Sequence, residues 1–286
     1  MVFEVRTRHE QYCREIFTLE ELVNLSDYDY LAYIKCRDCN LMALPDRLPC
    51  SLRGLYCDGN YLKELPRLPP GLEELICSNN ELTELPELVN YFDKTETFEL
   101  SYLNRLECDN NKIHVLPKLP NKLKKLKCGN NRLSELPELP NSIEEIWCNN
   151  NYLTKLPKLP MFLNILKINN NHIHTMPQKY PEFLAAIDCS YNHIRTLNTL
   201  PPYLRTLFCQ GNDINRICNF PDDLRNIKAD KNIGEMLNKR GWKTVNYDSD
   251  SDSDSDNDND NDNDNDNDKD NDNDNDDKND KNDNKD

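Results

Sequence analysis

Apolar residues return along this chain on a fixed beat. From Leu31 onward the pattern L-x-x-L-x-C-x-x-N-x-L-x-x-L-P recurs, with its Cys slot at Cys36, Cys57, Cys77, Cys108, Cys128, Cys148, Ile168, Cys189, Cys209 and Ala229. Successive spacings are 21, 20, 31, 20, 20, 20, 21, 20 and 20 residues, which makes ten repeats, eight of them with Cys in the slot. The first apolar slot reads Leu31, Leu52, Leu72, Leu103, Leu123, Ile143, Leu163, Leu184, Leu204 and Leu224. The Asn slot holds Cys39, then Asn60, Asn80, Asn111, Asn131, Asn151, Asn171, Asn192, Asn212 and Asn232. One such unit is too small to bury its own apolar face, so repeats must stack on one another. The L-x-C triplet predicts a short parallel strand with both apolar residues turned inward. The Asn, buried at the turn beyond it, has to satisfy its amide on neighbouring backbone, which predicts a ladder.

The rest of each repeat reads as extended. All seventeen prolines lie between Pro45 and Pro221, mostly as L-P-x-L-P, for example Leu116-Pro117-Lys118-Leu119-Pro120. Proline removes a backbone donor and keeps the residue before it out of the α region. Two per repeat predict polyproline-II or turn conformations on the convex side. A convex helix would need a longer repeat.

The unit L-P-x-L-P-x-x-L-x-x-L-x-C-x-x-N-x-L resembles the 20-residue repeats of bacterial type III secreted leucine-rich repeat effectors, with Cys for their usual Val or Leu. The resemblance covers roughly residues 31–233. It implies an α/β-type leucine-rich repeat horseshoe: a parallel β-sheet on the concave side, extended convex arms and a surface for partners. Some of those effectors carry a ubiquitin-ligase domain with a catalytic Cys after the repeats. Here about fourteen residues separate the last repeat from a low-complexity tail, so that domain is not expected. The Asp/Asn-rich composition is also similar to that of leucine-rich repeat proteins of giant amoebal DNA viruses.

The expected organisation is an N-terminal cap over 1–30, repeats over 31–233 with an insertion at 87–102, a C-terminal cap over 234–247 and a tail over 248–286. Thr18-Leu19-Glu20-Glu21 has capping-box spacing ahead of Leu22, Val23 and Leu25, which predicts a short helical cap. Met236, Leu237 and Trp242 are expected to close the other end. The insertion, with Tyr91, Phe92, Phe98 and Tyr102, is either a second surface or a local plug.

Charge divides the chain unevenly. The tail holds 19 Asp and 4 Lys, a net of −15 out of the chain's −16, which leaves residues 1–247 at −1. With no apolar residue it cannot offset the entropy of ordering, and a disordered acidic tail is expected. Nucleic acid is disfavoured as a partner, because phosphate binding needs a basic footprint. The tail's Asp-x-Asp spacing lacks the Gly and Glu of an EF-hand, so it suggests loose association with cations or basic proteins. Ser249, Ser251, Ser253 and Ser255 each have Asp at +1 and +3 and are candidate phosphosites.

No apolar leader opens the chain and no run approaches the ~20 apolar residues of a membrane span. Twelve Cys, mostly in core register, suit a reducing compartment. An intracellular location, the host cytoplasm or a virion for a viral protein, is therefore expected. A linear column of thiols does not present four tetrahedral zinc ligands, and disulfides between adjacent strands are expected to be geometrically poor. Cys36-Arg37-Asp38-Cys39 is a literal C-x-x-C, yet the repeat places both thiols in structural slots. His172 and His174 flank inward Ile173 with no carboxylate or Cys at ligand spacing. No Walker loop, G-x-S-x-G or H-E-x-x-H occurs, so no catalytic residue, metal site or cofactor is expected.

Function is expected on the concave face. The slot before the Cys column reads Lys35, Tyr56, Ile76, Glu107, Lys127, Trp147, Lys167, Asp188, Phe208 and Lys228. Tyr56, Ile76, Trp147 and Phe208 have no core to fill there and are expected exposed, as aromatic anchors of protein interfaces are. Tyr33, Arg105, Lys125 and Glu145 lie in the next outward column as a rim. The sequence thus points to a non-catalytic scaffold that binds a protein partner. The alternatives are a virion component, a substrate-recruiting arm of a ubiquitin-ligase assembly and an acidic decoy for basic proteins.

Overall fold

The computed structural model describes residues 2–10, 13–92, 96–99 and 102–238, and only the backbone of 89–92, 96–99 and 236–238. Its contacts divide the chain into Met1–Ser249, which holds every described element, and Asp250–Asp286, which lies outside the described residues with the four candidate phosphosites in 249–255 and the rest of the acidic tail.

The chain opens with β1 (Phe3–Thr7), β2 (Arg14–Ile16), α1 (Leu19–Val23) and one 3-10 turn at Tyr28–Tyr30. Then come β3 (Leu31–Lys35), β4 (Gly54–Tyr56) and β5 (Glu74–Ile76), followed by β6 (Val89–Phe92) and β7 (Glu96–Glu99). The series goes on with β8 (Arg105–Glu107), β9 (Lys125–Lys127), β10 (Glu145–Trp147), β11 (Ile165–Lys167) and β12 (Ala186–Asp188). Last are β13 (Thr196–Leu197), β14 (Thr206–Phe208), β15 (Arg216–Ile217), β16 (Asn226–Lys228) and α2 (Lys231–Asn238). Strand order in the main sheet is β16-β14-β12-β11-β10-β9-β8-β5-β4-β3-β1-β2. One strand per repeat, all parallel from β3 to β16, makes a parallel-sheet solenoid.

Each parallel strand centres on the second Leu of its repeat, one residue ahead of the expected L-x-C triplet. The Cys continues the ladder without being strand: Cys57 N–H donates to the Ile76 carbonyl and Cys128 N–H to the Trp147 carbonyl, both at 2.8 Å. Every residue of the Cys column is buried, as is every first-slot apolar residue. The core therefore lies between the inner face of the sheet and the arms, where Leu68, Leu88 and Leu116 close it from the other side.

The Asn ladder connects the repeats. Asn131 Nδ2 donates to the carbonyls of Cys108 (2.9 Å), Cys128 (3.2 Å) and Gly129 (3.0 Å), while its Oδ1 accepts from Ile113 N–H at 3.0 Å. The residue before each Asn turns the chain in the left-handed region: Asn79, Asn110, Asn130, Asn150 and Asn170 have φ of 51 to 55°, and Gly59 and Gly211 fill the same slot at 69° and 67°. Asn and Gly tolerate that conformation; Tyr191, at φ 51°, does not suit it.

The ends and the arms add what the repeat pattern did not specify. Thr18 caps α1, its hydroxyl accepting from Glu21 N–H at 3.0 Å, while Glu21 Oε2 accepts from Phe17 N–H. The cap is more than this helix. β1 and β2 form an antiparallel hairpin on β3, and Phe3, Val5 and Ile16 bury there the apolar edge of the first repeat. The insertion forms a hairpin, β6 against β7. The side chains of Tyr91, Phe92 and Phe98 lie outside the described residues, as do Trp242 and the side chains of Met236 and Leu237.

Along the arms, β13 and β15 pair where the first proline of L-P-x-L-P is replaced by Asn198 and Cys218. Cys218 restores the backbone donor that proline lacks, and its N–H reaches the Leu197 carbonyl at 3.1 Å.

Cys128 and Cys148, next after the adjacent strands β9 and β10, are joined by a disulfide. In-register pairing of β9 and β10 brings their Cα atoms to 4.9 Å, within the span a disulfide bridges. Among the described residues, no helix is long and apolar enough to cross a membrane.

Candidate functional site

Alternation along each strand sends one residue inward and its two neighbours outward. Parallel in-register pairing then lines the outward residues up in two rows across the sheet. One row runs Lys35, Tyr56, Ile76, Glu107, Lys127, Trp147, Lys167, Asp188, Phe208, Lys228, each beside the next. The other places Tyr33, Gly54, Glu74, Arg105, Lys125 and Glu145 side by side.

Exposure within these rows departs from the expectation. Ile76 is 5 % exposed and Glu107 8 %, so both are buried. Tyr56, Trp147 and Phe208 are half-buried, not protruding. Strands about 4.8 Å apart leave little room between side chains, so a short apolar residue such as Ile76 sits below its longer in-register neighbours Tyr56 and Glu107.

Charge and aromatic groups interleave across the middle of the face. Glu107 receives Arg105 Nε at 2.7 Å, Lys127 Nζ at 3.6 Å and Lys125 Nζ at 4.0 Å, and Lys125 also lies 3.5 Å from Glu145. Nearer the N-terminal cap, Tyr56 donates its hydroxyl to Glu74 Oε2 at 3.0 Å, and burial followed by this carboxylate pushes its phenol up. Arg37 stacks over Tyr56, Arg6 over Tyr33 and Lys228 over Phe208. Lys35 pairs with Glu4 of β1 at 3.3 Å. Beside this network, burial raises the Asp109 carboxyl to about 6, against the lowering effect of the Gly129 N–H that it accepts at 2.7 Å.

The thiols behind the sheet are of a different character. Burial pushes Cys36 and Cys209 up to about 12 and holds Cys57, Cys77, Cys108 and Cys189 well above the ordinary thiol value. These groups stay protonated at neutral pH, whereas nucleophilic and metal-binding cysteines react as thiolates. Cys39 sits in the Asn slot, its Sγ 3.2 Å from the Val2 carbonyl, and so ties the first repeat to the N-terminal cap. Among the described residues, no three His, Cys, Asp or Glu are grouped to hold a metal ion.

The aromatic residues that do protrude lie on the two flanks of the sheet, and of these only Tyr102, in the insertion, was expected as a surface candidate. Tyr30, Tyr102, Phe162, Phe183 and Tyr203 are all exposed, and all occupy the slot just before the first Leu of a repeat. That shared slot was a legible signal. On the opposite flank Tyr152, His172 and His193 stack at 6.0 and 5.7 Å along an open groove of about 710 Å³ whose lining includes Asn150 and Asn170.

No family model matches the chain, and no curated protein matches it. Among solved structures it is similar to YopM, a leucine-rich effector protein from Yersinia pestis, at 34 % identity over 66 % of this chain and 57 % of that one, with a TM-score of 0.56. The chain thus spans 57 % of the length of that relative. The leucine-rich repeat domain of a Shigella effector is 22 % identical over 76 % of this chain and 80 % of its own, with a TM-score of 0.46. A chain from the octameric complex of Latrophilin 3, Unc5D and the leucine-rich repeats of FLRT2 is 16 % identical over 76 % of this chain and 89 % of its own, with a TM-score of 0.54. The likeness to the chain of the FLRT2 complex is one of fold.

Proposed function

We propose that this chain, a leucine-rich repeat protein, is a non-catalytic scaffold that holds a protein partner against the outward, concave face of its parallel sheet. The observation that carries this reading is the in-register row across ten strands in which half-buried Tyr56, Trp147 and Phe208 stand among long charged side chains. Such a face offers flat, rigid rings for contact and charged neighbours for orientation, the composition of protein interfaces. FLRT2, a protein of like fold, stands in a complex with two other proteins, which agrees with a partner-binding role here. The candidate binding residues remain Tyr33, Lys35, Tyr56, Ile76, Arg105, Glu107, Lys125, Lys127, Glu145, Trp147, Lys167, Asp188, Phe208 and Lys228. Within that set Ile76 and Glu107 act from beneath, by supporting their neighbours.

Affinity capture tests this reading. Wild type is compared with Trp147→Ala plus Tyr56→Ala, with circular dichroism to confirm that both are folded. A partner held by wild type and lost by the double variant supports the face as the binding surface. Equal recovery of the same partners by both proteins removes it.

A further inference from the structure

Trp147 lies in register between Lys127 and Lys167. Three ammonium groups surround its ring, those of Lys125, Lys127 and Lys167 at 5.7, 4.6 and 3.6 Å from the ring centre. Two of them are compensated by carboxylates, Lys127 by Glu107 at 3.6 Å and Lys125 by Glu145 at 3.5 Å. Lys167, the one closest to the ring, has no ion pair among the described residues. Its neighbour on the far side, Asp188, accepts at Oδ1 from Ser190 N–H at 3.1 Å and from Ser190 Oγ at 2.6 Å. The Trp147 indole N–H is itself buried and has no acceptor among the described residues.

A buried donor without an acceptor and an uncompensated ammonium lack the same thing, an anionic oxygen. Resting on the reading of this face as the partner surface, we propose that this pocket takes the carboxylate of an acidic segment of a partner protein, held between Lys167 Nζ and the Trp147 indole N–H. Lys167 stands on a flexible four-carbon stem, so its ammonium can follow an incoming carboxylate from the ring centre toward the ring edge. The charge left to balance is the one ammonium of Lys167, because Lys125 and Lys127 are already paired with Glu145 and Glu107; a single carboxylate matches it, and a phosphate of about −1.5 to −2 exceeds it.

The test uses the indole signal itself. The chain has two tryptophans, so ¹⁵N-labelled full-length protein gives two indole N–H resonances, and Trp147→Phe identifies the relevant one. Titrations use a blocked tetraglutamate peptide, a tetraglutamine peptide and inorganic phosphate. The expected result is a saturable shift of the Trp147 resonance with tetraglutamate alone, weakened about tenfold or more in Lys167→Met. Lys167→Gln serves as a second removal of the charge if the amide spectrum shows that methionine disturbs the fold. An unmoved resonance, an equal response to tetraglutamine or phosphate, or an unchanged affinity without Lys167 overturns the proposal. If that happens while partner capture still depends on Trp147 and Tyr56, the acidic partner falls and the binding face stands.

Discussion

Two residues show how a repeat tolerates a local departure. In the left-handed slot ahead of the Asn ladder, nine turns share positive φ, and Tyr191 is the only aromatic among them. A bulky side chain there costs roughly 1 to 2 kcal/mol, and Tyr191 offsets part of it by laying its ring over Gly211, where an added Cβ would come within 2.4 Å of Cδ1. Tyr191→Asn should stabilise the protein by about 1 kcal/mol in urea unfolding, and a destabilised variant would show that the ring contact outweighs the strain. Asp109 is the second case. Its folded carboxyl titrates near 6 because burial disfavours the charge, so protons bind the folded state more readily than the unfolded one. That contribution to stability is complete below the unfolded value near 3.8 and is lost as pH rises through about 6. Asp109→Asn, which can still accept from Gly129 N–H, should flatten stability between pH 4 and 7. It should also exceed wild type at pH 7 by roughly 1 to 2 kcal/mol, the half-buried carboxylate being partly screened. Equal slopes in the two proteins would refute the assignment.

At the scale of the element, the turn is held by one amide. Asn131 satisfies three carbonyls and one N–H across two repeats, so Asn131→Ala leaves buried groups unpaired and should cost about 2 to 4 kcal/mol. Asn232, exposed at the last repeat, is the control, and Asn232→Ala should cost under about 1 kcal/mol. Similar losses at both sites would mean that the ladder is not what binds repeat to repeat. The phase of these Asn residues and of the strands was legible because apolar spacing and strand pairing obey the same period. What lay outside that period was not legible. The β1–β2 hairpin caps the first repeat through Phe3, Val5 and Ile16, which belong to no repeat. The bonding of Cys128 to Cys148 was not legible either, since the repeat places other cysteines of the column side by side in the same way and these are free. The sequence also showed which side chains face outward but not how deeply they sit, as at Ile76, because cover comes from neighbours on other strands. The β13–β15 pair could have been found, since Asn198 and Cys218 stand where the arms elsewhere carry proline.

Among the described residues the main-sheet strands are joined only to those beside them, and no long-range element ties β3 to β14. Stability in such an array is close to a sum of repeat and neighbour terms, so a lesion should act where it falls. Leu126, fully buried at the centre of β9, bridges the repeats of β8 and β10 through its pairing with Leu106 and Ile146. Leu126→Ala should cost about 2 to 5 kcal/mol and remove hydrogen-exchange protection from β8, β9 and β10, while β3 and β14 keep protection close to wild type. Ile227, buried in β16, lies on the edge strand beside α2, with a single strand neighbour, β14. Ile227→Ala should therefore lower protection in β16 and its near neighbours alone. The N-terminal half is guarded by a hairpin that extends the sheet with antiparallel strands, a stronger boundary than the helix at the other end, because it supplies backbone partners to β3. Fraying should accordingly begin at β16 and move inward as denaturant rises. Uniform loss of protection in both variants would show that the repeats unfold as one cooperative block and that neighbour contacts alone do not describe this solenoid.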